Sequence, residues 1–294
     1  MPLPPRPGRA GSFLYIAGTY LLAVAVAWQV FQRADVHPLF AMALGLLAST
    51  GVTYVFTLVA DNGSVFDPWW TVLPPVAALF FSGLSEPADI TARQVAVHTV
   101  VWCWALRLTS NWARGWPGLH HEDWRYPDLV EKWPLPRWAV LLLGVEIFPT
   151  LIVILGCLPL HPALVLGGAG FGWLDGLALA VGLAGVTLEL VADEQLKSFA
   201  RTRQPGELLD HGLWCTSRHP NYFGEILFWV SLWLFAFAAA PAWWWTGVGA
   251  LAILALFVFA SIPLLDRRSR ERRPAFAEYE ARTPSLIPRR PRPS

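Results

Sequence analysis

The densest group of reactive side chains lies in residues 217–225, which read Ser-Arg-His-Pro-Asn-Tyr-Phe-Gly-Glu. An apolar run follows at once, so the pattern predicts a polar loop that enters a membrane helix at Pro220, because proline is tolerated in a first helical turn. A helix N-terminus suits an anion, and the Arg218 guanidinium fits a phosphate. Asn221 and Glu225 are four residues apart and share one helix face. The alternative is an ordinary capped helix whose arginine reaches the lipid headgroups.

A second polar group precedes this stretch. Glu189 and Asp193 are four residues apart at the end of a long apolar segment, so they lie on one helix face near a membrane boundary. A carboxylate within a membrane helix is costly and indicates a functional site by default. Arg203 follows in a turn with Pro205 and Gly206 that suits a phosphate. An ordinary solvated helix end and a loop facing lipid headgroups are the alternatives.

Two further groups lie earlier in the chain. Asp67 precedes Pro68 at the start of an apolar segment, where it is either a helix cap or a catalytic acid. Residues 122–126 read Glu-Asp-Trp-Arg-Tyr and form a charged and aromatic loop beside Arg107 and Arg114. This loop is either an ion-pair network that holds itself in place or a lid over a ligand.

Other chemistries lack their signatures in this sequence. Its seven histidines and three cysteines show no metal-ligand spacing. There is no Walker loop, no Gly-x-Gly-x-x-Gly after a strand and no Gly-x-Ser-x-Gly elbow. We therefore predict no metal and no nucleic-acid partner. A nucleotide cofactor would bind through the ends of membrane helices rather than through a Rossmann domain.

The elements that position these groups are predicted to be membrane helices. The chain has 294 residues, of which 55% are hydrophobic and 15% charged, against roughly 25% charged residues in soluble proteins. A membrane span needs about 20 residues. Apolar runs near that length lie at 13–31, 38–59, 68–84, 93–110, 137–158, 172–192, 221–240 and 242–262. These runs predict an all-α polytopic membrane protein with a bundle of about eight transmembrane helices.

The distribution of positive charge gives the orientation. With eight spans and a cytoplasmic N-terminus, only Arg33 and Arg93 fall in outer loops, and the other 20 of the 22 basic residues fall on the inner side. Basic residues concentrate on the cytoplasmic side of membrane proteins. The polar loops described above face the same side. We therefore expect cytoplasmic N- and C-termini and a cofactor site at the cytoplasmic end of the bundle.

The order of these motifs resembles the C-terminal domain of the steroid 5α-reductase superfamily, and most closely its bacterial members of uncharacterised function. The resemblance is carried by residues 189–193, 205–207, 212–214 and 217–225, with support from residues 67–70, 122–126 and 262–288. It covers about residues 52–290, with a cofactor half at about 172–290. Residues 1–51 hold an N-terminal tail, an additional span and the start of the second span. Together with an Arg-rich, Lys-poor composition of 20 Arg and 2 Lys, the resemblance implies a bacterial inner membrane protein.

The resemblance also implies an activity. Its members hold NADPH at the cytoplasmic ends of their C-terminal helices and reduce a carbon–carbon double bond conjugated to a carbonyl. Here the substrate would be a steroid- or isoprenoid-like lipid from the bilayer. By that likeness, the cofactor would contact Glu189, Asp193, Arg203, Arg218, Asn221 and Glu225. Four neighbouring residues complete the predicted cofactor site: His219, Tyr222, Arg114 and Arg125. The family polarises the substrate carbonyl with a Glu and a Tyr. In this chain the corresponding candidates are Asp67 as the acid and Tyr54 or Tyr126 as the phenol.

Two other functions stay open at this point. Membrane isoprenylcysteine carboxyl methyltransferases also carry an Arg-His-Pro-x-Tyr stretch and a tyrosine-containing tail that ends near a proline. An S-adenosylmethionine-dependent methyltransferase is therefore the second hypothesis. Asn221, the Gly224-Glu225 pair and the Glu189/Asp193 pair favour the reductase. A non-enzymatic lipid-binding or transport protein is the third hypothesis, but a transporter more often places its polar site near the membrane midplane.

Overall fold

The structure is a computed structural model that describes residues 7–85, 91–166 and 170–290. Within these ranges the chain forms ten helices, besides two short 3-10 turns at Gly63–Val65 and Gly212–Cys215. The helices are α1 Arg9–Arg33, α2 Pro38–Ala60, α3 Trp69–Ser82, α4 Ala92–Gly115, α5 Arg125–Lys132, α6 Arg137–Leu166, α7 Trp173–Thr202, α8 Pro220–Ala239, α9 Pro241–Arg272 and α10 Phe276–Arg282. Arg6 and Arg292, which entered the charge count, lie outside the described residues.

Six helices of the described ranges are long and apolar enough to cross a membrane, namely α1, α2, α6, α7, α8 and α9. This confirms the prediction of an all-helical integral membrane protein. The other two predicted spans are also helical, but α3 has only 14 residues. At 1.5 Å per residue α3 is about 21 Å long, less than the hydrocarbon core of about 30 Å. Helix α4 has 24 residues but buries two arginines, Arg93 and Arg107.

Local sequence signals explain where the site-bearing helices begin. Helix α8 begins at Pro220, as the motif predicted. Helix α4 begins with a capping box, in which Thr91 Oγ1 accepts from Gln94 N at 3.2 Å and Gln94 Oε1 accepts from Thr91 N at 2.8 Å. Helix α6 contains π-helical turns at Leu141–Ile147 and Pro162–Leu166, and α9 contains one at Phe257–Ser261. Such turns widen a helix locally and are frequent at functional sites.

Helices α7 and α8 pack closely because glycines face each other across their interface. A Cβ atom on Gly185 would lie 2.6 Å from the Gly224 carbonyl oxygen, and one on Gly224 would lie 2.6 Å from the Gly185 carbonyl oxygen. Small residues let the backbones of membrane helices approach in this way. The contact brings the acidic pair of α7 next to the polar first turns of α8.

The C-terminal segment is fastened to the loop that precedes α8. Arg218 N–H donates to the Pro284 carbonyl at 2.9 Å, and Arg289 N–H donates to the Thr216 carbonyl at 2.9 Å. Ser217 Oγ donates to the Leu286 carbonyl at 2.7 Å. These bonds hold the start of α8 against the C-terminal segment.

Candidate functional site

A cavity of about 770 Å³ lies between α3, α4, α5, α6, α7, α8 and α9. This volume is within the usual range of ligand sites, about 300–1,000 Å³. One wall is polar and comes from the loop before α3, from α4, α7 and α8, and from the segment around α5. Another part of the lining, which we call the apolar arm, is apolar and comes from α6 and α9.

Arg107 of α4 is the centre of the polar wall. Its guanidinium contacts Glu189 and donates to Asp193 Oδ2 at 3.0 Å, and Nη2 lies 3.9 Å from Glu225 Oε2. All four residues are at least nine-tenths buried. One cation thus faces three carboxylates that come from two other helices. From the sequence, Arg107 was predicted only as a neighbour of the 122–126 loop. The available signal was an arginine that directly follows the apolar run of residues 100–106 in α4.

Amide and indole groups complete this cluster. Asn111 and Asn221 both donate to Asp193, at 2.9 Å and 3.3 Å. Both oxygens of Glu225 accept from buried indoles, Oε2 from Trp104 at 2.9 Å and Oε1 from Trp229 at 2.8 Å. Glu225 is therefore held rigidly, and Asp193 links the two asparagines across the cavity wall.

Four buried polar atoms on this wall have no hydrogen-bond partner within the protein. They are the donors Arg107 Nε and Trp112 Nε1 and the acceptors Asn111 Oδ1 and Glu189 Oε1. Leaving a buried polar group unsatisfied costs about 1–3 kcal/mol. Buried polar groups in native proteins are almost always satisfied. The wall is therefore suited to a ligand that itself carries both donors and acceptors.

Asp67 and Tyr126 form the second polar feature of the cavity. The Tyr126 hydroxyl donates to Asp67 Oδ1, and both residues line the cavity. Asp67 makes no capping hydrogen bond at the start of α3, so the structure does not support the cap alternative. Gly63 lies behind the phenol ring, where an added Cβ would be 2.8 Å from Tyr126 Cδ2.

The protonation of this pair is shifted by its surroundings. Burial raises the pKa of Asp67 to about 6, although Arg125 and the hydrogen bond from Tyr126 act in the opposite direction. Burial also raises the pKa of Tyr126, and the nearby Asp67 charge adds to that effect. The phenol is therefore a retained proton donor, and the carboxyl changes charge close to neutral pH.

The loop around residues 122–126 is held by ion pairs and also contributes to the cavity wall, while its role as a lid over a ligand stays a prediction. Arg137 pairs with Glu122 at 2.7 Å and with Asp61 at 2.9 Å. Arg125 Nε donates to Asp123 Oδ1 at 2.8 Å, and these two residues also line the cavity. An ion-pair network thus holds the loop while part of the loop forms the cavity wall.

The structure brings eight of the predicted site residues to the cavity wall: Asp67, Arg125, Tyr126, Glu189, Asp193, Asn221, Tyr222 and Glu225. Tyr222 also stacks on Phe257 of α9, with ring centroids 4.3 Å apart. The other predicted residues do not line the cavity. Tyr54 donates its hydroxyl to the Trp138 carbonyl at 2.9 Å. Arg114 forms an exposed ion pair with Glu194, and Arg203 is exposed at the end of α7.

Arg218 and His219 point away from the cavity toward the C-terminal helices. Arg218 pairs with Asp266 at 2.7 Å and donates to the Thr283 carbonyl at 2.7 Å. His219 Nε2 lies 3.0 Å from the other oxygen of Asp266. The two residues therefore fasten the start of α8 to α9 and to the segment after α10.

The apolar arm of the cavity extends between α6 and α9. Its lining includes Phe148, Pro149, Ile152 and Val153 of α6 with Ile253, Leu256 and Phe257 of α9. Such a surface favours a hydrocarbon ligand. Across residues 7–85, 91–166 and 170–290, no group of three or more His, Cys, Asp or Glu side chains is placed to hold a metal ion.

Comparison with known proteins identifies relatives of this chain. A family model described as "Protein of unknown function (DUF1295)" matches residues 53–283. An uncharacterized protein of Schizosaccharomyces pombe is 27% identical over 275 residues, which cover 84% of this chain and 79% of the relative. No solved structure matches the chain.

Proposed function

The chain belongs to the DUF1295 family, and from this premise we propose that it is a membrane-embedded, NADPH-dependent reductase of a conjugated carbon–carbon double bond in a steroid- or isoprenoid-like lipid. The observation that carries the proposal is the single cavity that joins three features. They are a wall of unsatisfied donors and acceptors, an acid–phenol pair and an apolar arm. The motif resemblance to the steroid 5α-reductase superfamily supports the same activity.

The polar wall fits the nicotinamide part of the cofactor. A carboxamide offers both a carbonyl acceptor and N–H donors, which complement the partnerless atoms of Arg107 and Trp112 and those of Asn111 and Glu189. Three further cations of the lining, Arg125, Lys132 and Arg267, are half-exposed in their ion pairs, so phosphates would compete with the paired carboxylates for them, unlike in the buried Arg218–Asp266 pair. Arg218 is not assigned a phosphate contact, because Asp266 already holds its guanidinium.

The chain's own residues would orient and polarise the reactants. Bound NADPH supplies a hydride. The Asp67–Tyr126 pair would donate a hydrogen bond to the carbonyl oxygen of the lipid and stabilise the negative charge that develops there. The rigid Glu225 and the two asparagines would fix the cofactor's position. The apolar arm between α6 and α9 would hold the hydrocarbon of the lipid and exclude water.

Direct titration of the purified protein with NADPH tests the proposal. We expect saturable quenching of tryptophan fluorescence, since Trp112 and Trp229 line the cavity. Asn221→Ala should weaken the binding by about tenfold or more, which is about 1.4 kcal/mol. Glu194→Ala is the matched control, because Glu194 lies outside the cavity and half-exposed. Absence of saturable binding, or equal affinity in Asn221→Ala, would rule out the cofactor assignment.

A second candidate, the S-adenosylmethionine-dependent methyltransferase, is favoured by the charge of the cavity. Among the described residues, six lining side chains are acidic and four are basic. The acidic set is Asp67, Asp123, Asp128, Glu189, Asp193 and Glu225. The basic set is Arg107, Arg125, Lys132 and Arg267. An excess of carboxylates suits the sulfonium and ammonium groups of S-adenosylmethionine. A ligand that binds only the folded state raises the melting temperature, so a thermal shift with one compound and not the other discriminates the two candidates.

A further inference from the structure

A second buried polar cluster lies between α2 and α6, apart from the groups used above. Its centre is Glu146, which is 0% exposed. Thr53 Oγ1 donates to Glu146 Oε2 at 2.9 Å, and Thr57 faces the same carboxyl one turn further along α2. Thr50 and Thr150 extend the cluster through a hydroxyl–hydroxyl hydrogen bond of 3.0 Å. All four threonines are 0% exposed.

The charge of Glu146 has no countercharge within the described ranges. None of the ion pairs formed by residues 7–85, 91–166 and 170–290 includes this carboxyl. The titratable groups that face it are the phenols Tyr20 and Tyr54. Their hydroxyls donate to the carbonyls of Val65 and Trp138. An isolated ionised carboxylate in an apolar interior is unstable unless something neutralises it.

Two oxygen atoms of this cluster also lack partners. Glu146 Oε1 and Thr57 Oγ1 face each other, but neither makes a hydrogen bond of good geometry with the other or with any further protein group. A carboxylate oxygen surrounded by hydroxyl oxygens is a hard, oxygen-rich environment of the kind that small cations prefer. A single positive charge placed beside Glu146 would therefore interact with these two oxygen atoms and also neutralise the carboxylate.

We propose that Glu146 and the threonine hydroxyls around it form a binding site for one small monovalent cation, Na⁺ or H⁺, inside the membrane. Glu146 Oε1 and Thr57 Oγ1 are the atoms that contact it. The site goes beyond the proposed reductase activity and does not depend on the nature of the cofactor.

The position of Glu146 links this site to the cavity. Glu146 lies in the π-helical turn Leu141–Ile147, and the two preceding residues, Gly144 and Val145, line the cavity. We therefore expect occupancy of the cation site to be coupled to the position of this part of the cavity wall. By reciprocity, a ligand in the cavity then changes the affinity for the cation by the same factor as the cation changes the affinity for the ligand.

Thermal melting of the full-length protein in nanodiscs tests the site. The wild type is melted in NaCl, KCl and choline chloride at equal ionic strength, and in a pH series without Na⁺. A site filled to roughly a hundredfold excess over its dissociation constant should raise the melting temperature by about 5 °C. The variants are Glu146→Gln and Thr57→Val. Thr19→Val is the matched control, because the buried Thr19 hydroxyl donates only to the Tyr15 carbonyl of its own helix.

Each outcome decides the proposal. A stabilisation specific to Na⁺ that is lost in Glu146→Gln and Thr57→Val but kept in Thr19→Val identifies Na⁺. A stabilisation that appears only as the pH falls, and is lost in Glu146→Gln, identifies H⁺. The proposal is overturned if the wild type responds to neither ion, or if Glu146→Gln responds as the wild type does. If Glu146→Gln fails to fold, the wild-type salt series still decides for or against Na⁺. The pH series is then read in the Asp67→Asn background, because Asp67 also stabilises the fold as the pH falls.

Discussion

Substitution of Gly224 by alanine should separate α7 from α8 and disrupt the polar wall of the cavity. The new Cβ would lie 2.6 Å from the Gly185 carbonyl oxygen and 2.6 Å from Glu189 Cγ, whereas ordinary contacts begin near 3.4 Å. The difference, 3.4 − 2.6 = 0.8 Å, must come from movement of a helix backbone, because the Gly185 carbonyl cannot rotate away. Overpacking of this kind costs about 1–3 kcal/mol.

The expected result is a melting temperature lowered by about 2–4 °C per kcal/mol, together with weaker binding of whichever ligand occupies the cavity. Gly176→Ala is the matched control. Gly176 lies in α7, the helix that packs against α8, and an added Cβ there would meet open space, so this variant should be neutral or stabilising by up to about 1 kcal/mol. The measurement is the melting temperature of each variant compared with that of the wild type. If Gly224→Ala and Gly176→Ala melt at the same temperature, the close glycine contact does not determine how α7 and α8 pack.

Three more predictions concern the charges. Burial raises the pKa of Asp67 to about 6, so between about pH 4 and 6 the folded protein keeps a proton that the unfolded chain has released. The unfolding free energy should therefore fall as the pH rises through that window, and thermal melts of Asp67→Asn should show a flatter dependence. Arg107→Met leaves three buried carboxylates without a countercharge, so melting or denaturant unfolding should show a loss of about 3–5 kcal/mol; an unchanged midpoint would contradict the described cluster. Arg218→Gln breaks the buried pair with Asp266 and should lower the melting temperature while leaving NADPH affinity nearly unchanged. A roughly tenfold loss of affinity at an unchanged melting temperature would instead favour the phosphate contact expected from the sequence.

Local spacing explains which parts of the site could be predicted. Pro220 fixes the start of α8, and a four-residue separation places Asn221 and Glu225 on one face of that helix. The same spacing pairs Glu189 with Asp193 on α7. Periodicity predicts which side chains share a helix face, and the close packing of α7 on α8 then brings the two faces to one cavity wall.

Long-range partners could not be predicted in this way. Arg218 sits in the motif with the strongest local signal for an anion, yet its guanidinium is held by Asp266, which lies 48 residues further along the chain. Arg107 and Glu146 carry no motif at all, and their importance appears only when other helices surround them. The choice of partner for a buried charge depends on which helices are neighbours. One sequence does not contain that information in any local pattern.

The attachment of the C-terminal segment to the loop before α8 has a consequence for the order of synthesis. The carbonyls of Pro284 and Leu286 and the N–H of Arg289 complete the hydrogen bonds of residues 216–218. During translation α8 is therefore made well before residues 284–289, which bind the loop at its start. The loop before α8, and with it the first turn that carries Asn221, gains these hydrogen bonds only after residues 284–289 have left the ribosome. A truncation or a bulky tag near residue 283 would thus act on the cavity wall from a distance, through the timing and completeness of assembly.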